Sequence, residues 1–236
     1  MILTAHQPVY LPWLGLFHKI ALAEMFCLFD IVQYQKRDYN NRNKIKTPNG
    51  EIWLTVPVES KQHFGKKLCD IKIIDNGWNK KQFKSISFAY KKSPYFDQYI
   101  DGLENILLKK THTYLSELNL ELLMYFLACL KIDILIVKAS DYDFIGSKSD
   151  LVLDMCIKLG AKKYIFGLQG KGYADIESFK DKKIDVFFQD YQHPNYQQLH
   201  GDFIPCLSII DLLFNEGPKS LDILKANNAS TINEMQ

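Results

Sequence analysis

The chain has 236 residues, of which 47% are hydrophobic and 24% charged, and a formal net charge of +2. Those values exclude a disordered or fibrous polypeptide and leave ample length for a buried core. Lys and Arg are dispersed rather than gathered on one face, so no nucleic acid is expected as a partner, while an anionic small molecule remains open.

The first apolar run, residues 2–5, reads as a strand. It ends abruptly in HQPVYLPW at residues 6–13, after which residues 13–24 carry helical spacing. Residues 25–30 read as a second strand. The β-rich runs 51–58 and 68–74, joined by a short polar stretch containing Gly65, suggest an antiparallel ribbon inserted at about 51–76. Helical patterns cover much of 79–130, interrupted near Pro94. Residues 134–138 (strand), 149–159 (helix), 164–167 (strand) and 185–188 (strand) follow, then 207–215 (helix) ending at Gly217, a fitting C-cap. The five strands are apolar almost throughout rather than alternating, which predicts strands covered on both faces. Strand-helix alternation therefore implies an α/β fold: a mostly parallel, Rossmann-like sheet flanked by helices, with the ribbon as an insertion. One α/β domain over residues 1–225 and a polar tail at 226–236, expected to fray, is the predicted organisation.

Five cysteines without a CxxC pair suit a reducing compartment. Residues 1–20 lack a basic n-region followed by an unbroken apolar stretch, and no apolar run approaches the ~20 residues that span a bilayer. A cytoplasmic protein with no transmembrane segment is expected; the oligomeric state is not legible.

In open α/β sheets, ligands bind beyond the carboxyl ends of the strands. That rule selects four stretches. After the first strand stand His6, Gln7, Tyr10 and Trp13. After the second, Asp30 leads into Gln33, Tyr34, Lys36, Arg42, Asn43 and Lys46, a mixture of cations, amides and aromatics that suits a nucleotide or sugar phosphate. After the fourth, Lys171 and Tyr173 lie among Gly167, Gly170 and Gly172, where backbone N–H groups could approach an anion. After the fifth come His193, Tyr196 and Gln198. Each stretch also admits a structural reading, as a core histidine, a solvated basic loop, a glycine turn or a capped surface loop. Their joint position after core strands favours a site.

Several chemistries lack a signature. No HExxH or Cys pair indicates a metal, no GxSxG a serine nucleophile, no GxxxxGK[ST] a P-loop, and no GxGxxG a dinucleotide site.

The chain resembles the WbqC-like family associated with bacterial O-antigen and surface-polysaccharide gene clusters. The resemblance is carried by HQPVYLPWLGLFHKI at residues 6–20, by NRNKIKTPNG within the stretch from Val32 to Gly50, by WLTVPV at 53–58, by HPNYQQ at 193–198 and by FIPCLSIIDLLFNEG at 203–217. It departs at Phe166, where a small polar residue is expected, and at Gln82, where a histidine is expected. Such pathways acylate amines on nucleotide-linked sugars, so the resemblance implies an N-acyltransferase (acyl, formyl or aminoacyl) acting on a nucleotide-linked amino sugar. His6 or His193 would be the base, and an acyl-CoA or formyl-folate the donor. Lys36, Arg42, Lys46 and Lys171 would hold phosphates; Trp13, Tyr34 or Tyr196 would stack on base or sugar. Two other readings stay open: an ATP-dependent adenylate-forming amide ligase or nucleotidylyltransferase-like enzyme with Lys171 on phosphate, and a non-catalytic sugar-nucleotide-binding subunit.

Overall fold

A computed structural model describes residues 1–59 and 65–235. In chain order the elements are β1 (Ile2–His6), α1 (Leu14–Ala21), β2 (Met25–Leu28), β3 (Arg42–Thr47), β4 (Gly50–Thr55), α2 (Trp78–Tyr90), α3 (Phe96–Glu104), α4 (Leu115–Cys129), β5 (Leu135–Lys138), α5 (Lys148–Lys158), β6 (Lys163–Gly167), α6 (Ile176–Asp181), β7 (Asp185–Gln189), α7 (Ile209–Glu216) and α8 (Ser220–Lys225).

The five strands expected from the apolar runs form one all-parallel sheet, ordered β5-β2-β1-β6-β7. Its two faces are both buried, which is why the strands read as continuous apolar runs. Along β1 and β2, Leu3, Ala5, Met25 and Cys27 point into a core shared with Val152, Met155 and Phe179 of α5 and α6. Phe26 and Leu28 point the other way, into a larger core with α1, the ribbon, α2 to α4 and α7. Each such aliphatic or aromatic side chain withdrawn from water contributes roughly 1.5–3 kcal/mol.

The inserted ribbon is present, with a different pairing from the one expected. β3 pairs antiparallel with β4, from Arg42 opposite Thr55 to Thr47 opposite Gly50. The run at 68–74 instead begins with a 3-10 turn, Leu68–Asp70, and among the described residues meets the first run around the Val58–Ile73 bridge, where Ile74 N donates to the Pro57 carbonyl and Glu59 N to the Lys72 carbonyl. Residues 60–64 of the expected connection lie outside the described residues. Two signals compete in RNKIKTPNG: cations and amides disfavour a strand, whereas Asn49-Gly50 is a hairpin turn pair, and Gly50 sits at φ +98°. The turn wins because tertiary partners bury Asn43 and Lys46.

Part of the polar tail is packed against the domain. Ile232 is buried against Leu22 and Ile165, and the carbonyl of Ala229 accepts a 2.9 Å hydrogen bond from His18 Nε2. α7 is capped by the Ser208 hydroxyl, which accepts from Ile210 N, and ends at Gly217 at φ +55°.

Candidate functional site

Counting only its own strands, the sheet runs 3-2-1-4-5. The chain leaves β1 toward one edge and returns at β6 toward the other, so the crevice beyond β1 and β6 is the topological switch point where such sheets bind ligands. A cleft of about 1040 Å³ opens there. All four post-strand stretches supply its walls: His6 and Trp13 from the first, Tyr39 and Asn40 from the second, Gly167 and Tyr173 from the third, Tyr191 and His193 from the fourth.

His6 ends β1. Its Nδ1 lies 2.8 Å from the Gln7 carbonyl oxygen. A carbonyl only accepts, so Nδ1 carries the proton and Nε2 keeps its lone pair. Among the described residues no hydrogen-bond partner reaches that Nε2. Burial, together with the nearby Lys19 charge, pushes the His6 pKa down to about 3, so the ring is neutral throughout the physiological range.

Sequence reading missed several cleft residues, among them Tyr39, Asn40, Gln189, Tyr191 and Cys206, and the most consequential is Lys19. α1 turns Gly15, Leu16 and Lys19 to one face, the i, i+3/i+4 relation, and all three line the cleft. The Lys19 side chain runs back toward the start of the helix, as helical side chains do, and its Nζ donates to the Ala5 carbonyl at 3.0 Å. The residue is only 4% exposed, and burial lowers its pKa to about 8. The available signal was the helical spacing of Gly15, Leu16 and Lys19; a lysine in a last turn is ordinarily read as a solvated dipole partner.

His193 shares the cleft, but both its ring nitrogens are engaged: Nδ1 with the Pro194 carbonyl at 2.9 Å and Nε2 with the Cys206 N–H at 3.2 Å. Cys206 is exposed, lines the cleft and holds a left-handed backbone at φ +59°. Lys148, which also lines the cleft, sits at φ +49°. Non-glycine residues held in that region carry a conformational cost; of the eight among the described residues, two line the cleft. Gln189, at the end of β7, donates to both the Gly15 carbonyl (2.9 Å) and His18 Nδ1 (2.7 Å), fixing α1 against the strand ends.

Several expected contact residues have structural roles instead. Tyr10 donates to Gln82 Oε1 at 2.7 Å, and Gln82 donates to the Thr55 carbonyl, so the Gln82 departure joins α2 to the first loop and the ribbon. Phe166 is buried in the cleft wall against Gly170, where a Cβ would come within 2.6 Å of it. Asp30 accepts from Ser140 N and Oγ at 2.9 and 2.8 Å, anchoring the turn after β5. Tyr34 donates to Asn41 Oδ1 at 3.2 Å. Asn43 donates to the Leu11 carbonyl at 2.6 Å, and Asn40 to the Pro8 carbonyl at 2.9 Å; these amides fasten the second stretch to the first. Lys46 is buried and donates to Gln198 Oε1, Gly201 O and Asp202 O. Tyr196 and Tyr90 both donate to Asp211, whose pKa burial raises. Gln33 bridges to Lys67, Lys36 is exposed away from the cleft lining, and Lys171 lies with its ammonium 5.9 Å from the Phe188 ring centre on a 3-10 turn rather than in the cleft.

An aromatic row leads out of the cleft. His6 and Trp13 rings lie 5.3 Å apart, Trp13 and Tyr39 5.8 Å, Tyr39 and Trp53 5.8 Å. Trp53, 41% exposed, ends the row on the ribbon surface. The Arg42 guanidinium stands 4.2 Å from its ring centre, and the Lys44 ammonium 5.1 Å. Arg42 donates to the Arg37 carbonyl through Nη2, while its buried Nε has no hydrogen-bond partner. Among the described residues no three His, Cys, Asp or Glu side chains gather as a metal site, and no helix is long and apolar enough to cross a membrane.

Fold and site together define an α/β protein with a largely apolar, aromatic-walled cleft carrying a few polar groups at the switch point of a parallel sheet. The chain belongs to the WbqC-like protein family, which matches residues 7–223. It is 36% identical over 220 residues to the uncharacterized protein Rv1507c of Mycobacterium tuberculosis (strain ATCC 25618 / H37Rv), a match covering 93% of this chain and 95% of that protein. No solved structure matches at a significant level.

Proposed function

We propose that the protein is an N-acyltransferase that acylates the amine of a nucleotide-linked amino sugar in bacterial surface-polysaccharide assembly. The observation that carries this reading is the His6 imidazole, with Nδ1 held by the Gln7 carbonyl and an unpaired Nε2 in the cleft. The substrate amine attacks the acyl carbonyl carbon, forming the C–N bond; the amine proton passes to His6 Nε2 and from there to the departing thiolate or folate nitrogen of the donor. The amine becomes acidic only as that bond forms, so the step needs a base that is neutral beforehand. Burial and the Lys19 charge keep it neutral before the substrate arrives, and the same two effects weaken it as a base until the ligand's own charge offsets that of Lys19.

The row Trp13–Tyr39–Trp53, ending at Arg42 with its unpaired Nε, supports a ligand whose reacting amine lies deep and whose nucleotide diphosphate lies outward. His193, with both nitrogens committed to backbone, shapes the wall in this reading.

The test is mass spectrometry of nucleotide-linked amino sugars incubated with acetyl-CoA or 10-formyltetrahydrofolate. An acylated product from the wild type, lost in His6→Ala while ligand affinity persists, is expected. Product formed only with ATP and a free carboxylate would identify a ligase instead. Tight binding of the sugar nucleotide with no product from any donor would mark a binding subunit.

A further inference from the structure

We propose that the floor of the cleft is an oxyanion site, with the Lys19 ammonium as its charged anchor and a carboxylate or phosphate group of the ligand as its occupant. The fold contains its own standard of comparison. Lys46 is the other deeply buried lysine, and it has three oxygen acceptors, Gln198 Oε1 at 3.1 Å, Gly201 O at 3.3 Å and Asp202 O at 2.5 Å, with the Asp211 carboxylate nearby. An ammonium has three N–H donors, so Lys46 is complete. Lys19 is enclosed to the same degree and has one acceptor, the Ala5 carbonyl. Among the described residues no carboxylate lies within ion-pair distance of it, and burial alone accounts for its lowered pKa.

The acidic groups of the cleft are Asp38 and Asp190, and both are turned to local partners: Asp38 accepts from Tyr39 N at 2.7 Å and Asp190 from Gln192 Nε2 at 3.5 Å. A buried charge left without a counter-charge is costly, and a ligand that supplies one recovers that cost on binding. The surroundings add donors rather than acceptors. α1 begins at Trp13 with no side-chain cap, so the positive end of its dipole stays open. Trp13 also lines the cleft, and its indole N–H has no hydrogen-bond acceptor among the described residues. His6, neutral, offers no competing positive charge. The site follows from burial and charge, and it stands whichever reaction the cleft performs.

The experiment follows the His6 imidazole by NMR in 15N-histidine-labelled protein. Inorganic phosphate and, separately, acetate are titrated at constant ionic strength with sodium chloride as the balancing salt. An anion seated on Lys19 cancels part of the field acting on His6, so a saturable shift of the His6 ring 15N resonances is expected at pH 7, where both phosphate and acetate are ionised. Lys19→Met should bind the same anion at least about tenfold more weakly, and Lys19→Arg should retain it. Response to phosphate alone, or to acetate alone, assigns the occupant as phosphate or carboxylate. No saturable response to either, or an unchanged response in Lys19→Met, overturns the proposal. Should Lys19→Met fail to fold, acetic anhydride labelling of the wild type decides: phosphate or acetate must slow acylation of Lys19, and an unchanged rate overturns it. No turnover is needed, so failure of the acyl-transfer reading leaves this result intact.

Discussion

His6 Nδ1 and the carbonyl oxygen of Gln7, its neighbour in the chain, are 2.8 Å apart, and this contact selects the tautomer that leaves Nε2 open to the cleft. The burial that accompanies it has a consequence for stability. The folded-state His6 pKa is about 3 against an ordinary 6.5. Between those values the unfolded chain takes up the proton and the folded one does not, so stability falls as pH falls through this window, by at most about 1.4 kcal/mol per pH unit from this residue. His18 and His193, also lowered by burial, act in the same direction. Urea denaturation from pH 7 to 4 should show a shallower loss in His6→Gln than in the wild type; parallel curves would contradict the His6 shift.

At Gly15, α1 packs tightly against two aromatic residues of the cleft. A Cβ there would lie 2.9 Å from Tyr191 Cδ1 and 3.1 Å from Trp13 Nε1, and Tyr191 is tethered by its hydroxyl to the Leu224 carbonyl at 3.0 Å. Gly15→Ala gains helix propensity of about 1 kcal/mol but displaces the Tyr191 ring at a cost of about 1–3 kcal/mol. A lowered melting temperature together with weaker ligand binding is expected. Gly167→Ala is the control: a Cβ there meets nothing within 4 Å, so its stability should stay at the wild-type value.

Lys46→Met should destabilise the protein by about 2–3 kcal/mol in chemical denaturation, because three oxygen acceptors on the loop after β7 lose a charged donor together. The same change removes a charge that, after the Tyr90 and Tyr196 hydrogen bonds, partly offsets the upward push of burial on the Asp211 pKa. Limited proteolysis around residues 198–202 should accelerate in this variant, since its loop loses its tie to β3.

Trp53, exposed on the ribbon, should behave in the opposite way. Trp53→Ala is expected to change folding stability by no more than about 0.5 kcal/mol. It should weaken binding of a nucleotide-linked sugar by roughly fivefold, about 1 kcal/mol of lost ring contact. A calorimetric titration that shows wild-type affinity would remove the aromatic row from the ligand path.

The sequence by itself determined the five strands of the sheet, the larger helical regions, the family and the four stretches that meet at the cleft, while the short helices α6 and α8 escaped it. Continuous apolar runs require strands covered on both faces, and the rule that ligands sit beyond parallel strand ends then selects the loops. His6, Gln7, Trp13, Tyr173 and His193 all line the cleft as that rule predicts. Which polar side chain serves the fold and which faces the ligand was decided only by tertiary structure. Arg42, Asn43 and Lys46 read as one basic loop, yet they stand on a strand that sends Asn43 to the Leu11 carbonyl, Lys46 to the loop after β7 and Arg42 onto Trp53. Lys19 reads as an ordinary helix-end cation and is instead enclosed with two donors unmatched. The physical reason is the same in both cases: residue type fixes how many hydrogen bonds and charges a side chain must satisfy, while its partners come from segments distant in the chain, so the groups left unsatisfied in the cleft emerge only once those segments are packed.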